Sequence, residues 1–313
     1  MKRSILIVTF SFTLLLLMTG VDMAQTNSSM NFSALWDFGN PSASEKRFEA
    51  LLATTTSPDD RLQVETQIAR AQGLQRKFPE AHKTLDGVEK ALTRASSLTR
   101  VRYFLERGRV FNSSNLPAKA HPLFVQAYEE AGKAGLDYFE VDAAHMLGII
   151  EPADEALKWN EKAVMLSEKS SDTKAKQWLG ALYNNIGWTY YDKKDYPSAL
   201  DYFQRDEKWY AGHNAEQETR NARYAIGKTE RAMGQLKDAL KIQKGIAAEI
   251  NQKHLDPDGY VLEEIAECHL ALGDLEQARP YFTRAYELLS KDPDLAANDR
   301  PRLERLKEFS VAK

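Results

Sequence analysis

The side chains that could act as nucleophiles, bases or metal ligands are scattered along this chain. Histidines fall at 82, 121, 145, 213, 254 and 269, with no pair four residues apart and no His-Glu-x-x-His motif. Cys268 adjoins His269, but neighbours in a helix point about 100° apart, a poor geometry for a thiolate and its base. Glu263, Glu264 and Glu267 offer paired carboxylates; at that spacing they read as a solvated helix face. No glycine-rich phosphate loop is present. The residues therefore predict no catalytic group, no metal site and no cofactor, and the chain is expected not to be an enzyme. Recognition is the chemistry left. The adjacent Asn184 and Asn185 each carry an amide donor and an amide acceptor, the pair of functions that an extended peptide backbone presents.

The elements that must position such residues are helical. The 313 residues are 43% hydrophobic and 28% charged, with a formal net charge of −3. This is the composition of an ordinary globular chain. It includes no polybasic stretch, so nucleic acid is not expected as a partner. Glycines (16) and prolines (11) are few, and no long alternating strand pattern occurs. A single cysteine cannot form an intramolecular disulfide. Cys268 is expected to be a buried, inert thiol.

The first residues have a different character. Lys2 and Arg3 precede an apolar run from Ile5 to Met18, the pattern of a secretory signal peptide and short for a membrane span. Residues 1–24 are expected to be this leader, cleaved after Ala24, with an uncleaved inner-membrane anchor as the alternative. The protein is expected to be exported, periplasmic or secreted. Residues 25–43 read as a polar linker in which Trp36 and Phe38 are placed to dock onto the first helices. Helical periodicity runs from Ala43 onward, with a first helix read from Ser44.

A repeat organises the remainder. A Gly or Ala is followed twelve residues on by an Ala at Ala69/Ala81, Gly108/Ala120, Ala144/Ala156, Gly187/Ala199, Gly227/Ala239 and Ala266/Ala278. Periods near 40 residues indicate stacked supersecondary units. The repeats are expected at about 62–95, 101–134, 137–170, 180–213, 220–253 and 259–292, within a solenoid spanning 44–309 and closed by an amphipathic capping helix at 300–309. The small residues mark close helix crossings, and Gly234 and Gly273 serve sharp turns.

With its bulky residues added, this pattern resembles the tetratricopeptide repeat (TPR) family. The 259–292 unit has Leu262, Ile265, Ala266, Gly273, Ala278, Phe282 and Ala285 at the family's spacings; the 101–134 unit has Phe104, Gly108, Phe111, Ala120, Phe124 and Ala127. Gln243 and Asn160 stand where aromatic residues are expected, and the third unit, with its Ile150-Glu151-Pro152-Ala153 turn, is degenerate. The resemblance covers roughly 62–292. It implies an all-α, right-handed αα-superhelix (α-solenoid) of about six helix pairs, with the long repeats of peptide-binding adaptors and bacterial sensory regulators.

In such arrays the first helices of the pairs line a concave groove where partners bind. The resemblance places Asn184, Asn185, Trp188 and Tyr191 there, with Asn221, Tyr224, Lys228 and Arg231 from the next unit. Upstream come Arg70, Arg102, Leu105, Arg109, Tyr138 and His145; downstream come Tyr260, Glu263, Glu264 and Glu267. This lining grades from basic through aromatic and amide to acidic. Asn185 occupies the position that holds peptide backbone in peptide-binding relatives, and Trp188, Tyr191 and Tyr224 would add aromatic contact. Val141, His145, Asn221 and Ala225 replace the basic and amide residues of the co-chaperone carboxylate clamp, which disfavours that activity. The function implied is a non-enzymatic scaffold for a protein or peptide segment. The alternatives are a ligand-responsive sensor and an accessory subunit of a cell-envelope assembly.

Overall fold

The computed structural model describes residues 32–311, so the expected leader and residues 25–31 of the expected linker lie outside the described residues. The described chain is all-α, an α-solenoid of stacked helix pairs, and divides after Gln177 into two compact units. The first unit opens with a 3-10 turn, Ser33–Leu35, and α1 (Pro41–Thr54). Then come the pairs α2 (Pro58–Leu74) with α3 (Phe78–Glu89), α4 (Ser97–Ser113) with α5 (Pro117–Ala134), and α6 (Asp137–Ile150) with α7 (Ala153–Lys169). The one-turn α8 (Thr173–Lys176) ends it. The second unit pairs α9 (Leu179–Asp192) with α10 (Tyr196–Gly212), α11 (Glu216–Ala232) with α12 (Leu236–Gln252), and α13 (Gly259–Ala271) with α14 (Leu275–Leu289). It finishes with α15 (Pro293–Asn298) and α16 (Arg300–Ser310).

Local chemistry sets these boundaries. Asn40 accepts from the Ala43 amide and Pro41 takes the first helical position, so α1 begins three residues before the expected Ser44. Ser57 caps α2 by accepting from the Asp60 amide. Asp59 is left to receive the Ser96 amide and hydroxyl at 2.8 and 2.7 Å, which ties α2 to the start of α4. Five of the turns inside pairs share one form. Arg76, Asn115, Lys194, Gly234 and Gly273 have φ between +60° and +83°. The next amide in each turn reaches back five residues, as in Asp195 N–H to the Tyr190 carbonyl at 3.0 Å and Asp274 N–H to that of His269 at 2.9 Å. The α6–α7 connection has no such residue; Glu151 and Pro152 cross it in extended conformation.

The small residues lie where helices cross. A Cβ added to Gly187 would stand 2.5 Å from the Phe203 ring, and Gly108 lies under Phe124 in the same way. Phe124, Phe203 and Phe282 are completely buried, as are Ala69, Ala81, Ala120, Ala199, Ala239, Ala266 and Ala278. Where the ring is missing, an amide substitutes. Gln243 packs on Gly227 and donates to the Tyr224 carbonyl at 2.9 Å. In the third pair Asn160 packs against Gly148, one turn beyond Ala144, and donates to the Ala156 carbonyl at 3.0 Å.

Residues 32–43, read as linker, are instead structured. Phe32 is buried and meets the wholly buried Phe48 edge-on at 5.7 Å, and Trp36 approaches the same ring at 5.0 Å. Apolar burial explains the order of a segment whose composition is otherwise polar. Trp36 and Phe38 do dock on the first helices, as the sequence suggested. At the other end, α16 buries Leu306, stacks Phe309 on Phe282 at 5.2 Å and covers the last pair.

Candidate functional site

In the first unit the expected groove residues lie on α2, α4 and α6; Leu105 is instead buried in the core, and Arg70, Arg102 and Arg109 are held by carboxylates or aromatic rings. Arg109 donates to Glu106 Oε1 at 2.7 Å and to both oxygens of Asp142 at 2.5 and 2.6 Å. Burial alone would lower the Arg109 pKa; Asp142 and Glu106 reverse this and raise it. His145 is half-buried, and its pKa is lowered by burial, which favours neutral imidazole. The Arg102 guanidinium lies between the rings of Phe32 and Phe139, 4.7 and 4.8 Å from their centroids, and burial pushes its pKa down to about 10. Arg70 stands under the stacked rings of Trp36 and Phe38, at 5.3 and 5.5 Å, while the Trp36 indole N–H donates to Gln67 at 3.2 Å. Beside Arg70 is a cavity of about 240 Å³, bounded also by Gly73, Leu74, Arg109, Val110, Asn112, Ser113 and Met146.

The second unit uses α9, α11 and α13 in the same way. Trp188 donates its indole N–H to Asn184 at 3.1 Å and packs against Phe203 and Tyr191 at 5.0 and 5.4 Å. It belongs to the apolar cluster that contains Ala225 and Ile226. Tyr224 is packed with Ile246, Val261 and Ile265. Lys228 and Arg231 both donate to Glu264, at 2.5 and 2.6 Å. Burial would raise the Glu264 pKa, but these two cations hold it below the ordinary carboxylate value. Glu263 is gripped by Arg302, and Glu267 by Arg305 at 2.8 Å. The acidic end anticipated from Glu263, Glu264 and Glu267 is therefore neutralised by α11 and α16, and Glu263 and Glu264 are buried, not a solvated face.

Two of the expected residues keep free amide groups. Asn185 and Asn221 have no side-chain hydrogen bond among the described residues, and both are partly exposed. Trp188 clusters with Ala225; one turn back on each helix, the Asn184–Asn185 pair comes level with Asn221. Tyr191, one turn forward, is half-buried.

A charge register missed in the sequence organises both faces. The residue after the small residue of one repeat meets the residue two before the small residue of the next. Arg70 approaches Glu106 at 3.5 Å, Arg109 binds Asp142, and Lys228 binds Glu264. Trp188 and Ala225 fill the same two positions as a large residue against a small one. Opposite charges recurring one repeat apart were the available signal.

The tetratricopeptide repeat family models match residues 179–206 and 221–293, the stretches that fold as α9 to α14 in the pairs described above. These two stretches are tetratricopeptide repeats. No curated protein matches this sequence. Among solved structures, the apo form of RapI superposes with a TM-score of 0.70 at 11% identity, covering 89% of this chain and 83% of that one. A Signal Transduction ATPase with Numerous Domains protein with a tetratricopeptide repeat sensor, from Pyrococcus horikoshii, gives 0.69 at 14% identity over 87% of this chain. The present chain spans only 42% of that protein's length. NprR in complex with its cognate peptide NprX gives 0.51 at 16% identity, covering 87% of this chain and 80% of that one. At these identities the likeness is one of fold.

Proposed function

We propose that this protein is a non-enzymatic scaffold that binds an extended peptide or protein segment on the first-helix face of its second unit. The observation that carries this reading is that Asn185 and Asn221 keep unpartnered amides on a face whose other polar residues are largely committed to internal contacts. Each amide can accept from a backbone N–H and donate to a backbone carbonyl. The complex of NprR with a peptide supports the same use of a related fold. The leader-like residues 1–24 support an exported location, where a partner in the cell envelope would be met.

The test is affinity capture from the native envelope with the full exported chain, compared with an Asn185→Ala, Asn221→Ala double variant. Loss of two hydrogen bonds should weaken the captured interaction by about tenfold or more. Unchanged affinity of the folded double variant would sink this reading. A sensor role is the second reading, supported by the Pyrococcus protein's description as containing a repeat sensor. It requires a ligand-dependent change in radius of gyration by solution scattering; a saturated chain of unchanged dimensions would count against it.

A further inference from the structure

The inner face of the first unit holds three guanidinium groups, Arg70, Arg102 and Arg109, against two carboxylates, Glu106 and Asp142. Arg109 saturates Asp142 and takes one oxygen of Glu106. Arg102 is held between aromatic rings. Arg70 is left over. It reaches Glu106 Oε1 only at 3.5 Å, and no hydrogen bond from its guanidinium to an acceptor is found among the described residues. Stacking on Trp36 and Phe38 fixes the plane of the group while leaving its N–H edges available. The cavity it borders has polar groups in Asn112 and Ser113 and apolar walls in Leu74, Val110 and Met146. Leu74 is 49% exposed, an apolar surface with nothing described covering it.

We propose that this cavity is a binding site for a carboxylate attached to a compact apolar group, with Arg70 as the anion receptor. The planar fork of Arg70 matches a carboxylate's two oxygens. Asn112 and Ser113 offer hydrogen bonds to the adjoining polar atoms, and Leu74, Val110 and Met146 take the apolar group. The volume suits about one amino-acid side chain with its carboxylate, so the ligand is a free short-chain acid or the last residue of a peptide. Binding here does not depend on the amide pair of the second unit.

The probes are N-acetyl-leucine, N-acetyl-leucinamide and an N-acetylated tetrapeptide ending in leucine, titrated into the full chain with arginine side chains labelled for NMR. N-acetyl-leucine should shift the Arg70 Nε–H signal saturably and bind about tenfold or more tightly than the amide, the ratio that a charge-assisted hydrogen bond gives. Tighter binding of the tetrapeptide would assign the site to a peptide C-terminus; equal binding would assign it to free acids. Arg70→Gln should abolish the shifts, and Arg70→Lys, which keeps the charge without the fork, should weaken binding severalfold. Equal affinity for acid and amide, or no saturable shift at millimolar probe, overturns the proposal using the unaltered chain alone. The N-acetyl-leucine arm contains no extended backbone, so it succeeds or fails independently of Asn185 and Asn221.

Discussion

Asp206, on α10, is a carboxyl group 2% exposed, and its Oδ1 has no hydrogen-bond partner among the described residues. Burial, with Glu218 nearby, pushes its pKa up to about 8. The folded chain therefore keeps Asp206 protonated across a range in which the unfolded chain ionises it, near pH 4. Its contribution to stability is fully present below that unfolded value and is lost as pH rises towards 8, at about 1.4 kcal/mol for each unit of displacement. Asp206→Asn removes the titration. Denaturant unfolding from pH 4 to 8 should show the variant gaining stability relative to the parent as pH rises. A constant difference between the two would mean that Asp206 is not titrating anomalously. The same contrast between burial and partnership separates the groove residues: Lys228 and Arg231 are spent on Glu264, whereas Asn185 and Asn221 are available.

Among the elements, the turns inside the pairs offer the cleanest comparison. One backbone form is served by glycine at 234 and 273 but by Arg76, Asn115 and Lys194 elsewhere. A side chain with a Cβ pays a steric cost of roughly 1 kcal/mol in that left-handed conformation. Lys194→Gly should therefore stabilise the second unit by about 0.5–1 kcal/mol, read as a higher denaturation midpoint, since glycine's greater unfolded entropy offsets part of the relief. A lower midpoint would show that the Lys194 side chain contributes contacts that the fold needs. These turns were legible in the sequence only at Gly234 and Gly273, because glycine announces its conformation and lysine does not. The helix pairs themselves were legible because Gly108, Gly187 and their spaced alanines have few alternatives at a close crossing. The ion pairs were not, since Arg109 and Asp142 or Arg302 and Glu263 lie 33 and 39 residues apart and meet only once the pairs stack. The burial of Phe32 escaped for a related reason: the Phe48 surface that covers it is formed by the fold.

For the whole molecule, export is the property most open to direct measurement. We propose that the leader-like segment is cleaved after Ala24. Expression in a secreting bacterial host, followed by mass analysis of the envelope fraction, should give a chain beginning at Gln25. Retention of Met1 in the membrane would favour the anchored form. The single cysteine fits export without disulfides: Cys268 is buried, and burial pushes its thiol up to about 11, so it should resist thiol reagents until the chain unfolds.

The charge register bears on how an array of this kind can grow by copying. The α4–α5 repeat carries both halves of the match, Glu106 to receive from the repeat before it and Arg109 to reach the one after. A tandem duplicate of it would set Arg109 opposite a second Glu106 and leave no charge stranded. The α11–α12 repeat has Lys228 but only Ala225 at the receiving position. Duplicating it would put a lysine against a methyl group. Recombination that lengthens the chain is thus permitted at one repeat and penalised at another, and the order of the modules is written in their charges.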